Sequence, residues 1–91
     1  MTVARRFIVE GRVQGVGFRY FAIRAATGCK VKGYVRNLPD GSVEAVAEGS
    51  MAAVDSFKRQ LEQGPSFARV LNLIEVDIPP SGRYTRFDVE Y

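Results

Sequence analysis

A short segment near the start of the chain combines glycines with arginines in a pattern that suits anion binding. The segment RVQGVGFRY covers residues 12–20 and contains Gly15, Gly17 and Arg19. Glycine adopts backbone dihedral angles that are closed to other residues, so successive main-chain N–H groups can converge on one point here. The guanidinium of Arg19 can add two forked hydrogen bonds to a phosphate at the same point. The segment therefore predicts a site for a phosphate-like anion.

The local pattern alone leaves a second interpretation open. A glycine-containing turn between a strand and a helix, followed by an ordinary surface arginine, has the same sequence features. Two other phosphate motifs are excluded. The segment lacks the third glycine of a dinucleotide-binding fingerprint, and it lacks the Gly-Lys-Ser/Thr ending of a P-loop.

Hydrophobic spacing places this segment between a predicted strand and a predicted helix. Residues 6–13 alternate between apolar and charged side chains, as in a strand with one buried face. The buried face would consist of Phe7, Val9 and Val13. From Phe18 the apolar residues follow helical spacing, and the helix is predicted to end at Gly28. The N terminus of this helix would present unpaired amides and the positive end of the helix dipole, which favours an anion.

The remainder of the chain predicts the rest of an α+β fold. Further strands are predicted over residues 30–37, 43–48, 70–78 and 85–91. A Leu-Pro-Asp-Gly turn joins the first two of these as a hairpin, and a second helix is expected between the N-cap Ser50 and Gly64. The order β-α-β-β-α-β, with an extra C-terminal strand, predicts a ferredoxin-like sandwich. Two helices would then cover one face of a mainly antiparallel sheet.

Length and composition limit the classes of function. A chain of 91 residues predicts a single domain over residues 1–91, and 46% hydrophobic with 25% charged residues is an ordinary globular composition. A net charge of +3 is compatible with an anionic ligand but is too small for the dense basic face of a nucleic-acid binder. No apolar run is long enough for a bilayer, so no membrane association is expected.

The chain has a single cysteine, Cys29, and no histidine. A disulfide framework and a cysteine metal cluster are therefore excluded, and a reduced, cytoplasmic setting is expected. The absence of histidine removes the usual neutral-pH general base and the commonest zinc ligand. Tyr20 and Tyr34 are interpreted as partly buried packing residues rather than ligand contacts.

Two motifs together resemble the signatures of the acylphosphatase family. The first is GRVQGVGFRYF at residues 11–21, and the second is GYVRN at residues 33–37. The second continues with DGSV at residues 40–43 and a closing Gly49. The resemblance covers essentially the whole chain, and the predicted order of strands and helices agrees with it. It favours the anion-site interpretation over the simple turn.

The resemblance implies an enzyme that hydrolyses acyl phosphates to a carboxylate and inorganic phosphate. The family's phosphate-binding loop falls on Gln14, Gly15, Val16, Gly17 and Phe18. Its catalytic arginine falls on Arg19, and its water-positioning asparagine falls on Asn37. No metal and no organic cofactor are implied, and a monomer is expected. Without the resemblance, Asn37 would be interpreted as a turn residue.

Two other functions stay open at this point. A non-catalytic module that binds acyl or carbamoyl phosphate for a larger protein would have the same motifs. RNA-recognition modules share the predicted topology, but they need exposed aromatic residues on two central strands. Phe7, Leu71 and Leu73 do not form such a platform. The expected partners are therefore a small acyl phosphate and its product phosphate, and no nucleic acid.

Overall fold

Five strands form one sheet in the computed structural model, which describes all residues 1–91. The strands are β1 (Thr2–Arg12), β2 (Lys32–Asn37), β3 (Val43–Ser50), β4 (Arg69–Ile78) and β5 (Phe87–Val89). The helices are α1 (Phe18–Cys29), between β1 and β2, and α2 (Met51–Gln63), between β3 and β4. Neither helix has the length and apolar character that crossing a membrane requires.

The sheet has the strand order β4-β1-β3-β2-β5. All neighbouring strands are antiparallel except β2 and β5, which pair in parallel. The first four strands and the two helices form the predicted β-α-β-β-α-β arrangement, and β5 adds the extra strand beside β2. The prediction of a ferredoxin-like fold with a mainly antiparallel sheet is therefore confirmed.

One face of the sheet packs against both helices and forms the apolar core. The strand residues of this core alternate, as a strand with one covered face requires. They include Phe7, Val9, Val35, Val43, Ala45 and Ala47, all with 0% exposure. The helices contribute Phe18, Ala22, Val54, Phe57 and Leu61. The ring of Phe57 contacts both Phe7 and Phe87 edge-on, so α2 is fixed over the centre of the sheet.

The local signals for α2 and for the hairpin are confirmed. The hydroxyl of Ser50 accepts a hydrogen bond of 3.1 Å from the amide of Ala53, and Gly64 caps the other end with a φ of 69°. In the hairpin turn, the amide of Gly41 donates to the carbonyl of Leu38 at 3.1 Å.

The predicted end of α1 is wrong. Gly28 lies inside the helix, which continues to Cys29 and is capped by Lys30 in the left-handed region, with a φ of 63°. The helix end is capped without a glycine, because the amide of Lys30 donates to the carbonyl of Thr27 and the amide of Val31 donates to the carbonyl of Ala26. Because Lys30 belongs to this cap, β2 begins at Lys32 and not at the predicted residue 30.

The limits of the other strands also differ from the predictions. β1 ends at Arg12 and not at residue 13, β3 continues to Ser50 and not only to residue 48, and β4 begins at Arg69 and not at residue 70. β1 begins at Thr2, four residues earlier than predicted, because it pairs with β3 on one side and with β4 on the other. β5 is limited to Phe87–Val89, since only these residues pair with β2.

The opposite face of the sheet, here called the outer face, carries two buried carboxylates. Glu44 of β3 is 2% exposed and Glu48 is 7% exposed. Glu44 accepts hydrogen bonds from Arg6 at 2.5 Å, from Arg36 at 2.6 Å and from the hydroxyl of Tyr34 at 3.0 Å. These donors belong to the strands on either side of β3, so the Glu44 cluster joins three strands.

Glu48 fastens the segment that connects β4 to β5. Its carboxylate accepts hydrogen bonds from the amide and hydroxyl of Ser81, at 2.7 and 2.9 Å, and from the amide of Gly82 at 3.1 Å. Beyond this point the ring of Tyr84 packs against that of Tyr34, with 6.1 Å between the ring centroids. The connecting segment thus crosses the outer face before β5 pairs with β2.

Candidate active site

The bend between β1 and α1 has the glycine-dependent backbone that the sequence predicts. Gly15 and Gly17 have φ angles of 74° and 77°, which side chains with a Cβ rarely adopt. A Cβ at either position would have no atom within 4 Å, so the glycines are required by the backbone conformation and not by crowding. The prediction that these two residues take up special dihedral angles is confirmed.

The first turn of α1 directs free amides toward this bend. Gly17 is the N-cap residue and has no side chain to bond the helix end. The first intrahelical hydrogen bond runs from the amide of Phe21 to the carbonyl of Gly17, at 3.0 Å. The amides of Phe18, Arg19 and Tyr20 precede that bond and have no partner inside the helix. Together with the helix dipole, they make this end of α1 attractive to an anion.

The bend is tied to the turn that follows Asn37. The side-chain amide of Gln14 donates to the carbonyl of Leu38 at 2.8 Å and to the carbonyl of Ser42 at 2.9 Å. Both acceptors belong to the β2–β3 turn, and Asn37 is the last residue of β2. Gln14 therefore fixes the distance between the bend and Asn37 through its side chain, and only its main chain can contribute to an anion site.

The β2–β3 turn has its own internal bonds. The carboxylate of Asp40 accepts hydrogen bonds from the amide of Ser42 at 2.9 Å and from its hydroxyl at 2.5 Å. These bonds hold the pKa of Asp40 below its ordinary value, despite a smaller opposing contribution from burial. The turn that follows Asn37 is thus rigid in itself and is also bonded to the bend.

A pocket of about 270 Å³ lies where α1, the end of β2 and the C-terminal strand meet. Its lining consists of Val13, Gly17, Phe18, Arg19, Tyr20, Ile23, Asn37, Val89 and Tyr91. The structure thus brings Gly17, Phe18, Arg19 and Asn37 to one pocket. The other predicted site residues, Gln14, Gly15 and Val16, lie in the adjoining bend and not in the lining.

Arg19 is half-buried at this pocket and is not neutralised by a carboxylate. The ion pairs of the structure involve Arg5, Arg6, Arg36, Lys58 and Arg86. The guanidinium of Arg19 instead lies 5.6 Å from the centre of the Tyr91 ring. A cation held against a ring keeps its hydrogen-bond donors available, so Arg19 can still bind an anion.

Two predicted site residues have side chains that pack against the core. Phe18 is only 2% exposed and packs against Phe21 with 5.8 Å between ring centroids. Val16 packs against the core from the bend. These side chains anchor the bend to the core.

The interpretation of Tyr20 as a partly buried packing residue is wrong. Its side chain is 68% exposed and lines the pocket. Tyr34 is partly buried as expected, and burial followed by the hydrogen bond to Glu44 raises its pKa to about 12. The position of Tyr20 could have been inferred, because it lies outside the helical spacing of the apolar residues Phe18, Ala22 and Ala25.

Sequence reasoning also missed Ile23, Val89 and Tyr91 as parts of the pocket. Ile23 lies one turn after Arg19 on α1, so helical spacing could have placed it there. Val89 and Tyr91 reach the pocket only because β5 pairs in parallel with β2. No local signal in the sequence indicates that pairing.

The arrangement as a whole can bind and polarise a small anion. The start of α1 at Gly17 and Phe18, together with Arg19 and Asn37, lines this pocket. No three carboxylate, thiol or imidazole groups lie close enough together to ligate a metal ion. The chemistry that these residues themselves can perform is therefore electrostatic stabilisation and positioning.

A family model and a curated relative that match this chain are both named acylphosphatase. The family model described as "Acylphosphatase" matches residues 5–89. A Pasteurella multocida protein named acylphosphatase is 49% identical, over 96% of this chain and 97% of its own length.

Two solved structures are also similar. The crystal structure of acylphosphatase from Bacillus subtilis superposes with a TM-score of 0.94 at 40% identity, and all of both chains is covered. The crystal structure of T. kodakarensis HypF gives a TM-score of 0.86 at 36% identity, over 98% of this chain and 12% of that chain.

Proposed function

The chain belongs to the acylphosphatase family and is a hydrolase of acyl phosphates, and we propose that the bend, Arg19 and Asn37 carry out this hydrolysis. Residues 1–91 would act as a single acylphosphatase-like domain. The observation on which the proposal depends is the shared pocket, which combines an unneutralised arginine, free helix amides and an asparagine fixed through the neighbouring turn.

The phosphate group is held by the bend in this proposal. The main-chain amides of Gln14, Gly15, Val16, Gly17 and Phe18 surround its oxygens, and Arg19 adds a forked pair of hydrogen bonds. Phosphoryl transfer builds up charge on the equatorial oxygens, and fixed donors of this kind stabilise that charge. The left-handed backbone at Gly15 and Gly17 supports this role, because it allows successive amides to face one point.

Asn37 orients the attacking water. Its amide oxygen accepts a hydrogen bond from the water, while its amide nitrogen can donate to a neighbouring oxygen. An amide is too weak a base to remove the proton, so the proton passes to a phosphate oxygen. The water oxygen bonds to phosphorus as the bond from phosphorus to the acyl oxygen breaks. The carboxylate leaves without an acid catalyst, since its conjugate acid has a pKa of about 4.

Substitution of Arg19 and of Asn37 should affect phosphate binding and kcat differently. We expect Arg19→Ala to weaken phosphate binding and to lower kcat by about 10²–10³-fold, the usual cost of losing one preorganised donor. Asn37→Ala should lower kcat by at least about a hundredfold through the loss of positioning, with phosphate affinity nearly unchanged. Hydrolysis of acetyl phosphate in excess chelator and phosphate binding by calorimetry measure both quantities.

The experiment tests the separate roles of Arg19 and Asn37, and it distinguishes an enzyme from a module that only binds its ligand. Equal loss of phosphate binding in both variants would contradict the division of roles. One alternative is a module that binds an acyl or carbamoyl phosphate without cleaving it, and the similarity to 12% of the HypF chain shows that this fold also occurs as a part of a longer protein. Saturable binding of carbamoyl phosphate by the wild-type chain, with no release of phosphate from any acyl phosphate, would support that alternative.

We further propose that the enzyme acts as a cytoplasmic monomer, without a metal, organic cofactor, nucleic acid or membrane partner. The modest charge of +3 and the single cysteine support this setting. Light scattering of the purified chain tests the monomer directly.

A further inference from the structure

We propose that a second pocket, at the opposite end of the sheet from the bend, binds a compact polyanion such as pyrophosphate. This pocket has a volume of about 240 Å³ and is here called the far pocket. Its polar side chains are those of Thr2, Lys30, Lys32, Glu48 and Tyr84. The inference goes beyond the proposed function and does not depend on it.

The far pocket is separate from the candidate active site. Lys32 is the first residue of β2 and Asn37 is the last. A strand of 6 residues at about 3.3 Å per residue separates these two ends by roughly 17 Å. No residue lines both pockets. A ligand in the far pocket is therefore a different molecule from a phosphate at the bend.

The two lysines of the far pocket have no carboxylate partner. Neither Lys30 nor Lys32 takes part in an ion pair. Lys32 lies directly opposite Glu48 in the pairing of β2 with β3, where an ion pair would be favourable. The carboxylate of Glu48 instead accepts three hydrogen bonds from Ser81 and Gly82. The charge of Lys32 therefore remains available to an anion from solution.

The backbone holds Lys30 beside the far pocket. Lys30 is the one non-glycine residue of the chain with a positive φ, and its amide is bonded to the carbonyl of Thr27. The main chain of β3 approaches it closely, because a Cβ at Gly49 would lie 3.5 Å from the carbonyl oxygen of Lys30. Lys30 is thus presented from a fixed helix end, two residues before Lys32.

The segment that connects β4 to β5 adds further donors. The guanidinium of Arg83 donates to the hydroxyl of Tyr84 at 3.2 Å and forms no ion pair. Because this hydroxyl accepts from Arg83, its own hydrogen can be donated to a ligand. Glu48 is the one carboxylate of the lining, whereas Lys30, Lys32 and Arg83 supply three cationic groups. The far pocket therefore has an excess of positive charge.

Pocket size and lining narrow the class of ligand. The volume of about 240 Å³ lies below the roughly 300–1,000 Å³ of sites for drug-sized ligands. Tyr84 is the one hydrophobic residue of the lining, so there is little apolar surface for a base or an acyl chain. Ammonium groups bind phosphate oxygens as point charges. These features suit a free diphosphate better than a nucleotide.

Titration of the isotope-labelled chain with pyrophosphate, followed by backbone NMR, tests the inference. We expect the amides of Lys32, Gly49 and Tyr84 to report one saturable Kd of about 1 mM or below, separate from the Kd at the bend. Lys32→Gln should raise this Kd about tenfold through the loss of one charged hydrogen bond. Lys30→Gly should have a similar effect, because glycine keeps the left-handed cap without the amine. Arg69→Gln is the matched control, since it removes an exposed cation outside every ion pair at the other end of the sheet.

The outcomes for the far pocket and for the enzyme are distinguishable. A higher Kd in both lysine variants supports the inference, if Arg69→Gln keeps the wild-type Kd and both lysine variants keep the wild-type hydrolysis of acetyl phosphate. No saturation of the far-pocket amides up to about 10 mM pyrophosphate overturns it. The same shifts with sodium chloride at equal ionic strength also overturn it, since they would report screening and not a site. A chain that binds pyrophosphate here but hydrolyses no acyl phosphate overturns the proposed function alone.

Discussion

Arginine side chains and main-chain amides cluster in two regions of this molecule. The two clusters differ in whether a carboxylate of the chain itself accepts their hydrogen bonds. On the outer face, Arg6 and Arg36 bind the buried carboxylate of Glu44, and two amides bind that of Glu48. At the bend between β1 and α1, the amides of the helix start and Arg19 gather with no carboxylate among them. The donor chemistry is the same in both regions.

The difference is whether the chain supplies its own anion. Burial by itself would raise the pKa of Glu44, but hydrogen bonds from Arg6, Tyr34 and Arg36 together leave it below its ordinary value. The carboxylate therefore stays charged and joins three strands. At the bend, equivalent donors remain available to an anion from solution. A cluster of donors that binds a carboxylate of the chain stabilises the fold. A cluster of donors without such a carboxylate is suited to binding an anion from solution.

The largest effect on stability is expected from removing the internal anion. Glu44→Ala should lower the free energy of unfolding by about 2–3 kcal/mol, because it leaves two guanidinium groups without their shared partner. The value lies below the roughly 3–5 kcal/mol of a fully buried pair that loses one partner, since the side chains of Arg6 and Arg36 are 42% and 40% exposed. Urea denaturation measures the change. Hydrolysis of acetyl phosphate by the folded variant should remain at the wild-type level.

Glu10→Gln is the matched control for this substitution. Glu10 also lies on the outer face but accepts one hydrogen bond, from the exposed Asn72 at 2.9 Å. Its change in stability should stay within about 0.5 kcal/mol. A loss of activity in folded Glu44→Ala would contradict the view that the Glu44 cluster only stabilises the fold and that the donors at the bend alone bind the anion.

A smaller effect is expected at Glu48 and should depend on pH. Burial opposes ionisation of Glu48, but the bonds from Ser81 and Gly82 prevail and lower its pKa from 4.5. Its contribution is therefore complete above that pH and is lost as pH falls through the lower pKa of the folded state. Glu48→Gln should cost about 1.5 kcal/mol at pH 7, typical of hydrogen bonds to a charged group.

The difference in the free energy of unfolding between wild type and Glu48→Gln should become smaller at acidic pH. Urea denaturation at pH 7 and at about pH 3, below the ordinary pKa of glutamate, measures it. Glu62→Gln on the exposed face of α2 is the control and should show no such trend. The same difference in the free energy of unfolding at both pH values would mean that the charge of the Glu48 carboxylate does not hold the connecting segment in place.

The smallest effect is expected at the link between bend and turn. Gln14→Ala removes both side-chain bonds to the β2–β3 turn while keeping the main-chain amides of the bend. We expect kcat to fall about tenfold, because Asn37 is then less well aligned with the phosphate. Phosphate affinity should change less than kcat, and Gln60→Ala on α2 should change neither. An unchanged kcat would show that Asn37 is positioned by β2 alone.

Local signals were sufficient for a large part of the fold. The Ser50 cap, the Gly64 stop and the hairpin turn depend on contacts between residues close in sequence, and all three were predicted correctly. The end of α1 was predicted wrongly, because Lys30 adopts a left-handed conformation that the glycine at residue 28 was expected to provide. The limits of β1 and β5 depend on pairing with distant strands, which alternation of side chains does not reveal.

The outer face was the least predictable region. A glutamate that alternates with apolar residues in a strand normally faces water, and Glu44 is buried only because Arg6 and Arg36 approach it from the neighbouring strands. The backbone of the bend was easier to predict, since Gly15 and Gly17 are of the one residue type that readily adopts a positive φ. The link through Gln14 and the aromatic ring of Tyr91 at the pocket both arise from tertiary contacts and have no local sequence pattern.

The central position of β1 has a consequence for how the domain assembles. β1 is the second strand of the sheet, and its partners β3 and β4 lie far away along the chain. The helices and the β2–β3 hairpin can form from nearby residues, but β1 is held in the sheet by two distant pairings, and the bend follows directly after it. We therefore expect the bend to be formed last, with the complete sheet. If phosphate binds at the bend, as proposed, then phosphate in the solution should raise the free energy of unfolding of the domain.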